Sequence, residues 1–247
     1  MTDRPRLMLV QNAERSGPGR LPDWLAEEEI DVEVVAGPDV PEHLARSWPG
    51  GSAAVDGLVM LGGGFMPDDD EHAPFLPRER ALVGEAMTAG VPVLGICLGA
   101  QLLAHVAGGQ VTAKSGETER GSCPVDLLAA AGDDLLFAGL AGYDELRMIQ
   151  NHQDSITTLP PGALHLATSD ECRVQAFRVG AAAWGVQFHP EASAAGLADW
   201  NRSKLAAQGF DRAALLAQAK ADAPVNTVQA RALVGAFADV VREGCRR

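Results

Sequence analysis

The stretch "VLGICLGAQLLA" at residues 93–104 decides how the rest of the sequence is interpreted. An apolar run typical of a buried strand ends at Ile96, and a run with helical spacing begins near Leu98. Cys97 lies between the two runs, and the glycines at positions 95 and 99 allow neighbouring backbone to approach without a Cβ clash. The pattern predicts a nucleophile elbow, which is a sharp turn from a strand into a helix with a reactive side chain at its tip.

Such an elbow would place the Cys97 sulfur at the N-terminus of a helix. Free backbone N–H groups and the helix dipole favour a thiolate over a thiol at that position, so the elbow predicts a nucleophile. The alternative is a small buried cysteine with only a packing role, which is the commoner situation for a lone cysteine.

A second polar motif, "WGVQFHPEAS" at residues 184–193, favours the nucleophile. Side chains alternate along an extended segment, so His189 and Glu191 project to the same side, and Pro190 restricts the backbone between them. Glu191 could then hold one ring nitrogen of His189 while the other ring nitrogen faces the Cys97 sulfur. A histidine near a glutamate is by itself more often a surface pair, but together with the elbow it predicts a catalytic triad of Cys97, His189 and Glu191.

Short apolar segments alternate with helical patterns in the first part of the chain. The segments "RLMLVQ", "DVEVVA", "GLVMLGG" and "PVLGIC", which begin at residues 6, 31, 57 and 92, predict strands that are buried on both faces. "PDWLAEEE" has Pro22 where a first helical turn tolerates it, and "PFLPRERALVGEAMTAG" ends in Gly90 as a C-cap. This alternation predicts a three-layer α/β fold with a mainly parallel central sheet.

The pattern changes between residues 110 and 186, where short strand candidates follow one another without long helices. These candidates, "SCPVDLL", "ELRMIQ", "VQAFRV" and "AAWGVQF", predict an antiparallel extension of the sheet. After His189 the pattern is helical again, and apolar residues at helical spacing predict a final helix with one face on the core: Leu233, Val234, Phe237, Val240 and Val241. We expect residues 1–195 to form one domain and residues 196–247 to form a helical extension packed on it.

Composition excludes several classes of function. The chain has 33 acidic and 20 basic residues, and a net charge of −13 disfavours binding to nucleic acid or to an anionic membrane. No apolar run is long enough for a signal peptide or a membrane span, so we expect a cytoplasmic location. The four cysteines are widely spaced without a C-x-x-C pair, which predicts neither a disulfide framework nor a metal site.

Three motifs carry a resemblance to a known family. "GICLGAQ" at residues 95–101 and "GVQFHPE" at residues 185–191 resemble the nucleophile and His/Glu motifs of class I glutamine amidotransferases. "LGGG" at residues 61–64 stands where that family has a glycine-rich loop after a strand. The segment at residues 159–180 is similar to the glutaminase domain of GMP synthase, within the stand-alone group of the family. The resemblance covers residues 6–195 and implies a flavodoxin-like class I amidotransferase fold.

The resemblance also implies a reaction and its site residues. Cys97 would attack the side-chain amide of glutamine to give a γ-glutamyl thioester, and His189 would pass the proton to ammonia and later activate water. The oxyanion would bind backbone N–H groups of Leu98 and of the glycine loop at Gly62 and Gly63. The implied substrate-binding residues are Gln101 and, in "QNHQDSI" at residues 150–156, Asn151 and His152. No cofactor or metal is implied, because a thiolate and an imidazole suffice for acyl transfer.

Departures from the family pattern leave alternatives open. Gln153 stands where many members have glycine, and "DDDE" at residues 68–71 follows the glycine loop. Residues 196–247 are too few for a synthetase domain, so either a separate synthase subunit receives the ammonia or the protein is a γ-glutamyl amide or peptide hydrolase that acts alone. The terminal helices could also form a homodimer. A non-catalytic or redox-sensing relative is the alternative from another class, and "LGGG" as a nucleotide-binding loop lacks the G-x-G-x-x-G spacing.

Overall fold

A computed structural model describes residues 4–14, 16–40 and 55–245 of the chain. Residues 1–3, 15 and 41–54 of the first expected unit, and residues 246–247 of the second, lie outside the described residues. A large sheet contains nine strands, and a small sheet contains β5 (Gln110–Thr112) and β8 (Ser155–Thr158). The strands of the large sheet are β1 (Arg6–Gln11), β2 (Asp31–Ala36), β3 (Gly57–Met60), β4 (Val93–Ile96), β6 (Glu119–Leu127), β7 (Leu146–His152), β9 (Leu164–Thr168), β10 (Ala176–Val179) and β11 (Ala183–Val186).

The large sheet has a parallel half and an antiparallel half. Its strand order is β2-β1-β3-β4-β11-β10-β9-β6-β7. The pairs from β2 to β11 are parallel, and the pairs from β11 to β7 are antiparallel. This confirms the predicted α/β fold with a mainly parallel sheet and an antiparallel extension. The sequence places "AAWGVQF" among the antiparallel strands, but β11 is the junction, because it runs parallel to β4 and antiparallel to β10.

Helices cover both faces of this sheet. They are α1 (Leu21–Glu27), α2 (Leu76–Ala89), α3 (Leu98–Val106), α4 (Arg202–Ala207) and α5 (Arg212–Gly244). One apolar cluster joins the sheet to α1 and α5, and a second cluster joins it to α2 and α3. The helix ends agree with the sequence, since Pro22 lies in the first turn of α1 and Gly90, with φ of 70°, caps α2. These layers are the three layers that the sequence predicts.

One strand departs from the predicted burial. The sequence predicts that β2 is buried on both faces, but each of its residues is exposed or half-buried. The prediction is wrong for this strand because, within the described residues, β2 lies at the edge of the sheet and only β1 is hydrogen-bonded to it.

The long helix α5 closes the opposite edge of the sheet. Its predicted apolar face is buried at Leu233, Val234, Phe237 and Val241, and Val240 packs against it as a half-buried neighbour. Although α5 has 33 residues, no helix in the described part of the chain combines the length and apolar character needed to cross a membrane.

Polar side chains of α5 bind the backbone of the edge strand β7. The Gln229 side chain accepts a hydrogen bond from the Arg147 N–H at 2.8 Å and donates one to the Glu145 carbonyl at 2.8 Å. Asn226 donates to the Arg147 carbonyl at 2.8 Å. The helix thereby satisfies backbone groups that an edge strand would otherwise leave open.

Replacing Gln229 by leucine should destabilise the protein through this edge. The variant leaves one N–H and one carbonyl of the β7 segment without partners, which should lower the free energy of unfolding by about 2 kcal/mol. Gln218→Leu on the same helix is the control, because the exposed Gln218 side chain bonds only Asp222 among the described residues, so its effect should stay within about 0.5 kcal/mol. Urea unfolding measures both, and equal effects of the two variants would contradict this role of Gln229.

Candidate active site

Cys97 occupies the predicted elbow. Strand β4 ends at Ile96, helix α3 begins at Leu98, and Cys97 between them has φ of 51° and ψ of −106°. Positive φ is rare for residues with a Cβ, and it is a feature of strained turns at functional sites. The Cys97 N–H donates to the Val186 carbonyl at 2.8 Å, which attaches the elbow to the end of β11. The side chain is at the N-terminus of α3, as predicted.

The two flanking glycines are required by close backbone contacts. A Cβ at Gly99 would lie 2.0 Å from the Met60 carbonyl oxygen, and a Cβ at Gly95 would lie 2.5 Å from the Gly99 carbonyl carbon. Neither neighbour is a flexible side chain, so a larger residue could not be accommodated at either position without moving the backbone. The sequence prediction that these glycines permit close approach is confirmed.

His189 and Glu191 form a hydrogen-bonded pair beside the elbow. Nδ1 of His189 is 2.7 Å from Oε1 of Glu191. The backbone N–H of His189 donates to the Ile149 carbonyl at 2.8 Å. A Cβ on Gly62 would lie 3.1 Å from Cε1 of His189 and 3.6 Å from the Cβ of Cys97, so both side chains converge on this glycine. The structure therefore brings together the three residues of the predicted triad.

The electrostatics of this group favour a protonated imidazole. Burial alone would lower the pKa of His189, but the negative charges of Glu191 and of a Cys97 thiolate raise that pKa well above its ordinary value of 6.5. The Nε2 atom of His189 is buried and has no hydrogen-bond partner among the described residues. The Cys97 sulfur is nevertheless close enough for its charge to raise the pKa of the ring. An imidazolium beside a thiolate is the arrangement that activates a cysteine nucleophile.

Arg20 holds the segment that carries Glu191. The backbone N–H of Arg20 donates to the Glu191 carbonyl at 3.0 Å. Nη2 of its side chain donates to the carbonyl of Pro190 at 3.0 Å and to Asn226 of α5 at 3.0 Å. Burial lowers the pKa of Arg20 to about 10, and the Glu191 charge opposes part of that shift. Through this guanidinium group, Asn226 of α5 is linked to the segment that carries Glu191.

Gln101 approaches Cys97 through a second glutamine. Nε2 of Gln101 donates to the Asp154 carbonyl at 3.0 Å and to Oε1 of Gln187 at 3.2 Å. Gln187 in turn donates to the Cys97 sulfur at 3.6 Å. Gln101 is buried, and its contacts extend beyond its own helix. Sequence reasoning missed the contact of Gln187 with the sulfur, although Gln187 lies within the "GVQFHPE" motif.

Two neighbouring residues that were expected at the substrate lie on opposite faces of β7. The exposed Asn151 side chain lines a cavity of about 900 Å³ that is also lined by His189 and Glu191. His152 is buried and its Nε2 is 3.0 Å from Glu119. Alternation along a strand separates the two side chains, so Asn151 is next to the candidate site and His152 is in the interior.

The glycine loop lies beside the start of α3. A Cβ on Gly63 would come within 2.5 Å of Cδ2 of Leu98 and 3.0 Å of the Cβ of Asn12. The Leu98 N–H is in the first turn of α3, where backbone donors have no acceptor within the helix. In the acidic segment that follows the loop, Asp70 forms an ion pair with Arg80 at 2.7 Å.

A second group of cysteine, histidine and glutamate lies away from the elbow. Glu119, His152 and Cys172 are buried, and their potential metal-ligand atoms lie within 4.8 Å of one another. Glu119 already accepts hydrogen bonds from His152 and from Ser169. Burial, followed by the negative charges of Glu117 and Glu119, raises the pKa of Cys172 above its ordinary range, so this sulfur stays a thiol. We interpret these three residues as part of an internal hydrogen-bond network and not as a second nucleophilic site.

A model of the family described as glutamine amidotransferase class-I matches residues 19–197 of the chain. One of the proteins named as subunits of glutamine-hydrolyzing GMP synthase, from Haloquadratum walsbyi, is 35% identical over 165 residues, which covers 66% of this chain and 76% of that protein. GMP synthase from Xanthomonas axonopodis pv. citri is 39% identical over 137 residues, which is 54% of this chain but only 24% of that protein. The chain therefore spans about a quarter of the length of this longer relative.

Solved structures of similar proteins match nearly the whole chain. A glutamine amidotransferase from Thermotoga maritima superposes with a TM-score of 0.81 and 26% identity, covering 96% of this chain and 99% of that chain. A glutamine amidotransferase from Methylobacillus flagellatus has a TM-score of 0.76 and 28% identity, covering 98% and 96% of the two chains.

Replacing Glu191 by glutamine should lower the pKa of His189. Burial lowers the His189 pKa, and the substitution removes a negative charge that counteracts this effect. The pKa should therefore fall towards or below 6.5 in an NMR titration of the ring. Glu33→Gln, which removes an exposed partner of Arg6, should leave the His189 pKa unchanged. An unchanged His189 pKa in Glu191→Gln would contradict the electrostatic coupling.

The same shift makes the stability of the wild type depend on pH. Because the folded-state pKa of His189 exceeds its unfolded value, protonation stabilises the fold fully below about pH 6.5. This contribution is lost as the pH rises through the folded-state pKa, and Glu191→Gln should reduce that loss in urea unfolding at a series of pH values.

Proposed function

Because the chain belongs to the class I glutamine amidotransferase family, we propose that it hydrolyses the side-chain amide of glutamine through a thioester on Cys97. The observation that carries the proposal is the convergence of Cys97 and His189 beside Gly62, with Glu191 hydrogen-bonded to the far ring nitrogen. This geometry has the nucleophile, the base and the orienting carboxylate of a cysteine triad.

The first half of the reaction forms the thioester. The Cys97 thiolate attacks the amide carbon, the C–N bond breaks, and the protonated His189 transfers its proton to the departing nitrogen to release ammonia. In the second half, neutral His189 takes a proton from water, the resulting hydroxide attacks the thioester, and glutamate leaves as the Cys97 thiolate is regenerated. Glu191 holds Nδ1 of His189 and stabilises the imidazolium in both halves.

The oxyanion that develops in each half needs preorganised donors. We assign them to the backbone N–H groups of Leu98, which lies in the first turn of α3, and of Gly63. Loss of one such donor costs about 3 kcal/mol of transition-state stabilisation. The close packing of Gly63 on Leu98 supports this assignment, because it holds the loop next to the helix N-terminus.

We assign the acceptor of the released ammonia to a separate protein. Relatives from Haloquadratum walsbyi and Methanopyrus kandleri are each named as one subunit of GMP synthase, and the chain covers 76% of each. We propose that a separate synthase subunit uses the ammonia, and that residues 196–247 form an extension of the amidotransferase unit. Light scattering measures the molar mass of the full chain in solution. This arrangement predicts one chain per particle, whereas self-association through the extension predicts two.

A second candidate function is hydrolysis of a larger γ-glutamyl amide or peptide. It is favoured by the cavity of about 900 Å³ beside His189, which is far larger than departing ammonia requires. Trp200, which belongs to residues 196–247, also lines this cavity, so the C-terminal extension helps to shape it. The paired His189 and Glu191 argue against a redox-sensing cysteine, which needs no such base.

Replacing Cys97 by alanine should abolish ammonia release from glutamine while leaving the fold intact. The expected loss is at least about 1,000-fold in kcat, because removal of the nucleophile leaves only binding and oxyanion stabilisation. Cys123→Ala is the matched control, since burial raises the pKa of that thiol to about 12 and no step uses it. Activity retained in Cys97→Ala with an unchanged unfolding midpoint would exclude the thioester mechanism.

A substrate panel should separate the two candidate functions. Under the glutaminase proposal, glutamine should have the highest kcat/KM among glutamine and a series of γ-glutamyl alkylamides and dipeptides. Under the alternative, kcat/KM should rise with the size of the amine, because the cavity beside His189 would hold it. Amine release measured by mass spectrometry decides between them.

A further inference from the structure

Arg120 is a buried cation with an incomplete set of partners. It lies in β6 and is only 7% exposed. Its Nη1 donates to the carbonyl oxygens of Glu119, at 2.9 Å, and of His152, and its Nε donates to Oε1 of Gln208 at 3.2 Å. Within the described residues, no hydrogen-bond acceptor engages Nη2 and no carboxylate forms an ion pair with this side chain. A buried guanidinium without a counter-ion is costly unless an anion binds beside it.

The position of Arg120 relates it to the candidate active site. It pairs with Asn151 across the β6–β7 ladder, and Asn151 lines the cavity at His189. Burial lowers the pKa of Arg120, while negative charges at Cys97 and Asp154 offset part of that effect. The carbonyl of the same Asp154 accepts the hydrogen bond from Gln101. Arg120 and Gln101 therefore bond carbonyl groups of the same short segment, residues 152–154, and the Arg120 charge also acts on the reactive sulfur.

We propose that Arg120 is a specificity-determining residue that binds the α-carboxylate of glutamine or of another γ-glutamyl substrate. This inference rests on the proposed function. In such a substrate, the α-carboxylate is at the opposite end of a short carbon chain from the amide that Cys97 attacks. A guanidinium with a free N–H edge matches a carboxylate in both charge and geometry.

Gln208 is a positioning residue for this guanidinium. It follows α4, and its Nε2 donates to Oε1 of Gln153 at 3.1 Å while its Oε1 accepts from Arg120. Gln153 is the residue that departs from the glycine of the family pattern, and its partner comes from the C-terminal extension. The extension thus fixes the orientation of Arg120 through a side-chain contact that links residues 120, 153 and 208.

Binding to the inactive Cys97→Ala variant tests the proposal without depending on turnover. Calorimetry should show that this variant binds glutamine about 10- to 100-fold more tightly than glutamine α-amide, in which the carboxylate is replaced by a neutral carboxamide. Adding Arg120→Met should bring the two affinities within about threefold of each other, whereas adding Arg120→Lys should keep part of the preference. Adding Arg147→Gln on the neighbouring strand should keep all of it, because Arg147 pairs with Glu145 instead.

Kinetics in the otherwise native chain give a second readout. Arg120→Met should raise KM for glutamine about 10- to 100-fold and change kcat by less than about threefold. Gln208→Ala should raise KM less, and the double variant should be no worse than Arg120→Met alone, since both act through one contact.

The outcomes of these experiments separate the two proposals. Preference for the α-carboxylate that survives Arg120→Met, or an equal loss of affinity for both ligands, would overturn the role of Arg120. A fall in kcat without a rise in KM would also overturn it, because the Arg120 charge would then act on the Cys97 thiolate and not on the substrate carboxylate. If the wild type binds glutamine through Arg120 but releases no ammonia, the proposed function fails and the carboxylate site stands.

Discussion

The parallel pairing of β11 with β4 is the constraint on which the candidate site depends. In this register Val186 lies opposite Ile96, so both strands end at the same level of the sheet. The chain leaves β4 through the elbow at Cys97 and leaves β11 through Gln187 towards His189. The hydrogen bond from the Cys97 N–H to the Val186 carbonyl fixes the elbow to this strand end. Residues far apart in sequence therefore meet at the carboxyl edge of the sheet, where open α/β sheets bind ligands.

Close packing maintains the strained backbone at the elbow. A residue other than glycine with positive φ costs of order 1–3 kcal/mol, and the surrounding structure has to supply that energy. Here the carbonyl of Met60 lies against Gly99, the Gly99 backbone lies against Gly95, and α3 is buried along nearly its whole length. The apolar layer of α2 and α3 thus holds the cysteine at a rigid position, while α5 and Arg20 support the His-Pro-Glu segment from the other face. The site depends on both helical layers.

Features with a local physical cause could be predicted from the sequence. The bounds of β1, the elbow at Cys97, the C-cap at Gly90 and the apolar face of α5 all follow from short-range patterns. Features that depend on which strands become neighbours could not be predicted. The exposure of β2, the two strands of the small sheet and the contacts of Arg120 with Gln208 depend on tertiary pairing, which leaves no periodic signal in the sequence.

The proposed mechanism requires Cys97 to carry the γ-glutamyl group during turnover. A γ-glutamyl aryl ester has a good leaving group, so the thioester should form faster than it hydrolyses. Acid quenching within the first turnovers, followed by peptide mass spectrometry, should find one γ-glutamyl group on Cys97 and none in Cys97→Ala. A γ-glutamyl group on Cys172 or on another residue, or hydrolysis by Cys97→Ala at the wild-type rate, would show that Cys97 is not the nucleophile.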